Sequence, residues 1–304
     1  MLLSFAGCRT PGVPLEFFSP PRILEEEGAR FPAAVSFGEK LVLLYQEVIP
    51  ADDAEEGGII YLRAKTSRMG KDWRDSRRLS AAIPYSSESP PMVYSLVEVK
   101  DGILLALSDA DEKISIYRIS DSNLELEELT NIDTDGGFVA PRLFKGGDGD
   151  YMLFANRHED FRIDIHLAVS RDGSNWSDFE RFSVVDEQRL NFNPSYIHHP
   201  GTEAVVYHAI NPQVAGAYQL YIRTSQDGGE TWGEPFQLTD FAAGANEPEN
   251  YDNQRPEFTR HDSEVYVTWE RRLGTETRHV YLGRLNDNFR LASRPEQVSS
   301  GFNN

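Results

Sequence analysis

The sequence has a single cysteine and far fewer basic than acidic residues. Its 304 residues include one Cys, 30 Lys and Arg, and 49 Asp and Glu, for a formal net charge of −19. One cysteine excludes an intramolecular disulfide and a cysteine-rich zinc site. The net charge excludes nucleic acid and anionic lipid headgroups as partners, because the nonspecific electrostatic interaction with them is repulsive.

Long hydrophobic runs and helical periodicity are also missing. No run approaches the roughly 18 apolar residues of a membrane-spanning helix. There is no glycine-rich phosphate loop and no nucleophile elbow, and we expect no cofactor. The adjacent His198 and His199 would point to opposite faces of a strand, so we expect no metal site either. Hydrophobic residues nevertheless make up 39% of the chain, enough to bury a core.

The one cysteine, Cys8, directly follows a short apolar stretch that ends in Ala6-Gly7. This stretch resembles the end of a bacterial lipoprotein signal, with Phe5 where that signal usually has Leu. We therefore interpret residues 1–8 as the remnant of such a signal and residues 9–304 as one domain. The resemblance implies an extracytoplasmic protein, at the bacterial cell surface or in the periplasm, whose only membrane contact is a lipid at Cys8. The alternative is a stray N-terminal thiol.

A short motif recurs along the chain. Residues 225–232, SQDGGETW, fit the pattern Ser-x-Asp-x-Gly-x-Thr-Trp at every specified position, residues 170–176 are one residue shorter, and residues 66–73 are a degraded copy. The pattern predicts a β-hairpin turn in which Asp accepts hydrogen bonds from turn amides, Gly supplies a positive φ and Trp packs beneath as an apolar plug. It resembles the Asp-box, or BNR, repeat of the sialidase-like β-propellers.

The repeat has the length of a propeller blade. Weaker copies put Leu124 and Phe289 in the Trp position, which then recurs at 73, 124, 176, 232 and 289. A period of about 50 residues suits a four-stranded blade. Short apolar runs rich in β-branched and aromatic residues lie between the copies, as at 41–45 and 103–107. We predict an all-β, sialidase-like β-propeller with five recognisable four-stranded blades. A further strand predicted at 18–24 leaves two forms open, a six-bladed propeller whose last blade is missing and a five-bladed ring.

The resemblance also implies candidate substrate-binding residues. Sialidases hold a sugar carboxylate with three arginines, whose guanidinium forks suit that anion. Arg30, in Arg-Phe-Pro, resembles the first arginine of the family's Arg-Ile-Pro motif; its alternative role is a rim residue paired with the glutamates at 25–27. Arg278 is a candidate for another of the three. Tyr251 and Arg255 are placed near the axis by analogy.

The catalytic candidates are Asp52 and Asp53. They lie in an acidic loop, residues 46–58, where the family has its acid–base aspartate. Burial and neighbouring acids could raise the pKa of either carboxyl. The alternative is a solvated acidic loop.

The rest of the family's hydrolytic set is not matched. Asn193 stands where the family has a glutamate and Leu220 where it has its second arginine. We therefore predict a propeller that binds a glycan, a sialic-acid-type sugar, at the central axis with an incomplete hydrolytic set. The alternatives are an active exo-α-sialidase-like glycoside hydrolase with a rearranged site and a structural protein-interaction propeller.

Overall fold

A computed structural model describes the chain in segments. They are residues 29–50, 58–68, 72–80, 83–85, 93–108, 112–120, 124–132, 137–159, 161–184, 189–210, 217–239, 251–273 and 278–299. These segments contain strands and turns only, and no helix that could cross a membrane is found in them. The chain divides into two compact units, residues 1–90 and 91–304, and each is described by itself.

Unit 1 holds one antiparallel sheet. Its strands are β1 (Ala29–Phe37), β2 (Lys40–Pro50), β3 (Gly58–Arg68), β4 (Asp72–Trp73), β5 (Arg77–Arg78) and β6 (Ile83–Tyr85). The sheet is four strands wide, because the short β4, β5 and β6 all pair along the same edge of β3. Its most buried strand is β2, whose run 42–45 confirms the apolar strand predicted there.

Unit 2 holds four sheets, each of four antiparallel strands. The first two sheets consist of β7 (Val93–Val99), β8 (Gly102–Ser108), β9 (Ile114–Ser120), β10 (Leu126–Asn131), β11 (Phe138–Lys145), β12 (Tyr151–Glu159), β13 (Arg162–Ser170) and β14 (Glu180–Arg181). The other two consist of β15 (Arg189–His199), β16 (Thr202–Ile210), β17 (Tyr218–Ser225), β18 (Phe236–Gln237), β19 (Tyr251–His261), β20 (Glu264–Leu273), β21 (His279–Leu285) and β22 (Glu296–Gln297). The prediction of five blade-like sheets is thereby confirmed, and the predicted strand at 18–24 lies outside the described residues.

The second strand of each blade in unit 2 carries the core. Every residue of β8 is buried, as is the centre of β12 and β16. These runs are buried without interruption because both of their faces are covered. Large buried side chains of neighbouring blades share common clusters, Phe154 with Tyr207 in one and Val206 with Trp269 in another. The first strands of successive blades also contact one another, β7 with β11, β11 with β15, and β15 with β19.

The predicted turns connect the third and fourth strands of their blades. Asp172 Oδ1 accepts hydrogen bonds from the amides of Ser174 and Asn175, both at 2.8 Å. Asp227 Oδ1 accepts from the Thr231 amide at 2.9 Å, and the Thr231 bonds lower the pKa of Asp227 to about 2. The predicted acceptor role of both aspartates is confirmed.

The tryptophans of the turn motifs lie beneath them. Trp176 packs on the apolar cluster between the second and third blades, and its Nε1 donates to the Gly173 carbonyl at 3.1 Å. Trp232 packs on the next cluster, with its ring 5.1 Å from that of Phe182. The predicted apolar plug is confirmed at both turns.

A second repeated feature lies at the start of the first strands. Ala140, Asn193 and Arg255 have φ of 53°, 51° and 52°, and each directly precedes a proline. The pairing register with the second strand shifts at each of these positions, which marks a β-bulge. Bulges bend a strand and redirect its side chains. In unit 1 Phe31, before Pro32, has the same conformation, with φ 50°.

Candidate functional site

The charged side chains of interest lie at one end of unit 2. That end carries the starts of β11, β15 and β19 and the ends of β12, β16 and β20, because neighbouring strands are antiparallel. The turn motifs occupy the opposite end, at the ends of β13 and β17. Propellers bind ligands near their first strands, around the axis.

An ion pair joins two first strands that are not sequence neighbours. Arg142 in β11 donates from Nη2 to Oε1 of Glu257 in β19 at 2.5 Å. Both residues directly follow the proline of their bulge. Their side chains are 30% and 50% exposed, so the pair is open to solvent.

Two further arginines meet on one carboxylate oxygen. Arg255 Nη1 lies 2.6 Å from Glu270 Oε2, and Arg278 Nη1 lies 3.4 Å from the same atom. All three side chains are between 32% and 49% exposed. We call Arg142, Arg255, Glu257, Glu270 and Arg278 the arginine–glutamate cluster. It carries three positive and two negative charges on a chain whose overall charge is strongly negative.

A buried histidine accepts a hydrogen bond from the backbone of Arg255. His208 in β16 is 4% exposed, and its Nδ1 accepts the Arg255 amide at 3.3 Å. Burial, and then the positive charge of Arg255, lowers the pKa of His208 to about 3. The imidazole is therefore neutral at physiological pH. Its ring packs between Phe192 and Tyr218, with centroids 5.6 and 5.0 Å away.

The segment leading to Arg255 is fixed by buried polar contacts. Asp252 accepts the Tyr218 amide at 2.9 Å and Arg272 Nη2 at 2.9 Å. Asn253 is fully buried, and its Oδ1 accepts Trp269 Nε1 at 2.8 Å. Buried contacts of this kind restrain the backbone. The backbone that carries Arg255 is therefore held in place.

The structure brings two of the predicted binding residues together. Arg255 and Arg278 share Glu270. Tyr251 is the first residue of β19, paired with Leu273 in the ladder. Arg30 is an exposed residue of β1 in unit 1. The predicted catalytic residues Asp52 and Asp53 lie outside the described residues, as does Cys8, so these remain predictions.

The two departures from the sialidase pattern have structural roles. Asn193 is the left-handed residue of the β15 bulge. Leu220 is fully buried in the apolar cluster between the fourth and fifth blades, where an arginine could not face a ligand. Within the described segments, no group of three or more His, Cys, Asp or Glu side chains is arranged to hold a metal ion.

Sequence reasoning missed Arg142, Glu257 and Glu270. Arg142 and Glu257 could have been found from the sequence, because each directly follows a proline at the start of a repeat unit. The structure has a β-bulge at these prolines, and the strand bends there. Glu270 carries no such signal. Its proximity to Arg255 comes from the pairing of β19 with β20.

No protein-family model and no curated protein matches the sequence. Several solved structures are similar to it. A protein of unknown function from Dyadobacter fermentans has 16% identity and a TM-score of 0.63, with 90% of this chain and 83% of that chain covered. An α-L-arabinanase from Penicillium chrysogenum, complexed with arabinobiose, has 18% identity and a TM-score of 0.56, with 70% and 71% covered. An α-L-arabinofuranosidase from Fusarium graminearum has 15% identity and a TM-score of 0.53, with 69% and 66% covered.

These likenesses show the fold, which is a five-bladed β-propeller. Of the two forms left open by the sequence, the five-bladed one is therefore confirmed. The hydrolases named are an α-L-arabinanase and an α-L-arabinofuranosidase and not sialidases. The propeller part of the sialidase resemblance is supported, and its sialidase part remains a prediction.

Proposed function

We propose that this propeller binds a carboxylated glycan at the arginine–glutamate cluster. The observation that carries the proposal is the convergence of Arg255 and Arg278 on one oxygen of Glu270. One carboxylate leaves a positive excess between two guanidinium groups. A second carboxylate, supplied by a sugar, would bind there through charge-assisted hydrogen bonds.

The support from other proteins is at the level of fold. The Penicillium chrysogenum structure contains arabinobiose, and the Fusarium graminearum structure contains an iminosugar inhibitor. These are ligands of those proteins. They favour a sugar over other carboxylates as the ligand of this chain.

The finer proposal is a sialic-acid-type sugar bound outside the cytoplasm. It rests on the turn motif, on the resemblance of Arg30 to the family's first arginine, and on the signal-like residues that precede Cys8. In that reading Arg255 and Arg278 provide the cationic contacts of unit 2. A lipid at Cys8 would tether the protein to a bacterial membrane.

Hydrolysis of a glycan is the second candidate function. Glu257 lies opposite Thr268 in the ladder, and Thr268 and Glu270 project from the same face of β20. Glu257 and Glu270 are therefore on one face, with a backbone offset of about 6.6 Å. Glycosidase carboxyl pairs lie about 5 to 9.5 Å apart.

The ion pairs of these two glutamates favour binding over hydrolysis. Glu257 is paired with Arg142, and Glu270 with Arg255. One carboxylate oxygen of each glutamate is bound by a guanidinium group, so that oxygen is not free to contact the glycosidic oxygen of a sugar.

Calorimetry with three sugars tests the binding proposal. N-acetylneuraminic acid and galacturonic acid should bind weakly and more weakly at high salt, and neutral arabinobiose should not bind. The Arg255→Ala/Arg278→Ala double variant should lose at least tenfold in affinity, because each charge-assisted bond contributes about 1.5–3 kcal/mol. Arg284→Ala is the matched control, since Arg284 is also 49% exposed and pairs with Glu264 at 2.7 Å, at the opposite end of the blade. Unchanged affinity in the double variant would contradict the proposal.

Turnover assays separate the two candidates. Neither a fluorogenic sialoside nor a fluorogenic arabinofuranoside should be hydrolysed above background. Robust turnover that is lost in Glu270→Gln and kept in Arg284→Ala would establish the hydrolase instead. Neither binding nor turnover would favour the protein-interaction propeller.

A further inference from the structure

One hairpin of unit 2 remains paired almost to its tip at the cluster end. The ladder between β12 and β13 continues without interruption to the pair Glu159 and Arg162, so only residues 160 and 161 connect the strands. Strand β11 pairs with β12 only as far as Arg157. Among the described residues, His158 and Glu159 therefore pair only with Ile163 and Arg162, and we call these four residues and Phe161 the finger.

The finger is braced at its base by a buried carboxylate. Asp164 is 5% exposed, and its Oδ2 accepts Arg162 Nε at 2.6 Å and Arg181 Nε at 2.9 Å. Its Oδ1 accepts Ser183 Oγ at 3.0 Å and Asn191 Nδ2 at 3.1 Å. Two-stranded ribbons alone are marginally stable in water. These contacts tie the finger to the outer strand β14 and to the start of the next blade.

The tip of the braced finger carries an aromatic ring. Phe161 is 90% exposed, whereas the next most exposed large hydrophobic side chain in the described segments, Val298, is 55% exposed. An exposed ring adds nothing to the packing of the fold. Because the finger holds the ring in a fixed position, less conformational entropy is lost when a ligand covers the ring.

The finger lies at the same end of unit 2 as the arginine–glutamate cluster. Asn191, at the start of β15, contacts Asp164 at the base of the finger. Arg142 of the cluster is opposite Phe154 in the ladder, and Phe161 is seven residues further along the chain. At about 3.3 Å per residue the ring stands up to roughly 20 Å beyond the level of Arg142. A ligand that reaches both must be several sugar units long.

We propose that Phe161 is a stacking platform for a sugar ring in an acidic oligosaccharide whose carboxylated end is held by the arginine–glutamate cluster. This inference rests on the proposed function and adds the length of the ligand to it. The apolar C–H face of a sugar ring covers an aromatic face well. Arg157 is paired with Glu159, and Arg162 with Asp164, so the tip contributes contact with the sugar ring and the cluster holds the carboxylate.

A length series of oligogalacturonates from one to six units tests the platform by calorimetry. In the wild type the affinity should rise at least fivefold between the dimer and the hexamer. Phe161→Ala should abolish this rise and leave monomer binding unchanged. Phe161→Trp should retain the rise and report binding of the longer oligomers by a change in tryptophan fluorescence. Val298→Ala is the matched control for loss of an exposed apolar side chain, and the melting temperature should not change in any variant.

The outcomes separate the platform from the proposed function. A monomer that binds, with no dependence on length in the wild type or the same dependence in Phe161→Ala, would overturn the platform alone. Loss of monomer binding in Phe161→Ala would also overturn it, because the residue would then act on the cluster itself. Absence of binding by every oligomer would overturn the proposed function together with the platform.

Discussion

The two ends of unit 2 use polar residues in opposite ways. At the turn-motif end, the aspartates bond to groups at most four positions away in the sequence, such as Asp227 to Thr231. At the cluster end, Arg142 reaches a partner 115 residues away. The hydrogen bonds of the aspartates are local and help to form the fold. The Arg142–Glu257 ion pair joins residues that only the completed fold brings together. The comparison teaches that a motif visible in the sequence marks scaffold, and that the site must be sought where strand starts meet.

Removal of the plug at the turn-motif end should have the largest effect on stability. Trp232→Ala leaves a cavity next to Phe182 and Met152 and should lower the free energy of unfolding by about 3 kcal/mol, the lower bound for a large aromatic because the ring is only partly buried. Urea denaturation measures it, with Phe161→Ala as the exposed aromatic control. A Trp232→Ala protein as stable as the wild type would remove the contrast between the ends.

Acidification should destabilise the cluster end through His208. Its pKa is lowered to about 3 in the folded protein, below the usual value near 6.5 of the unfolded chain. The unfolded state therefore binds the proton first, and stability falls as the pH drops from about 6.5 towards 3. At pH 5 the loss should be about 2 kcal/mol.

A variant isolates that contribution. Asn at position 208 offers an amide oxygen near the position of Nδ1 and does not titrate. Denaturation of His208→Asn at pH 7 and pH 5 should show a pH dependence smaller by about 2 kcal/mol than that of the wild type. An equal pH dependence in both proteins would show that other groups dominate.

The smallest effect on stability is expected from the exposed ion pair. Arg142→Ala should change the free energy of unfolding by less than about 1 kcal/mol, because both side chains of the pair are partly solvated. The matching substitution Glu257→Ala should have a similarly small effect, and a double-mutant cycle measures the coupling. A coupling energy above about 2 kcal/mol would mean that polar contacts at the cluster end also stabilise the fold.

The sequence sufficed for the blades because their signals are local. Repeated turns, apolar runs and a constant period depend on neighbouring residues only, and these predictions are confirmed. A further local signal was overlooked: Ser183, Thr239 and Ser299 each follow an outer strand and accept the amide of a residue in the third strand, from Ile165, Leu220 and Val280. This signal would have sharpened the blade boundaries.

The site could be predicted only in part, for a physical reason. Arg255 and Arg278 were found by analogy, whereas their common partner Glu270 depends on the register of β19 with β20. A single sequence does not give the register, and a shift of one residue would turn Glu270 to the opposite face. The Arg142–Glu257 pair depends further on the packing of separate blades.

The left-handed residues before the prolines have a consequence for heating. A non-glycine residue in that conformation is strained by about 1–3 kcal/mol, and Ala140 and Arg255 lack the short polar side chain that eases it at Asn193. Such strain persists only where surrounding contacts determine the backbone, as the buried contacts of Asp252 and Asn253 do before Arg255. The strained conformation should therefore be lost together with the blade that holds it. On heating, ligand affinity should disappear within the unfolding transition and not below it.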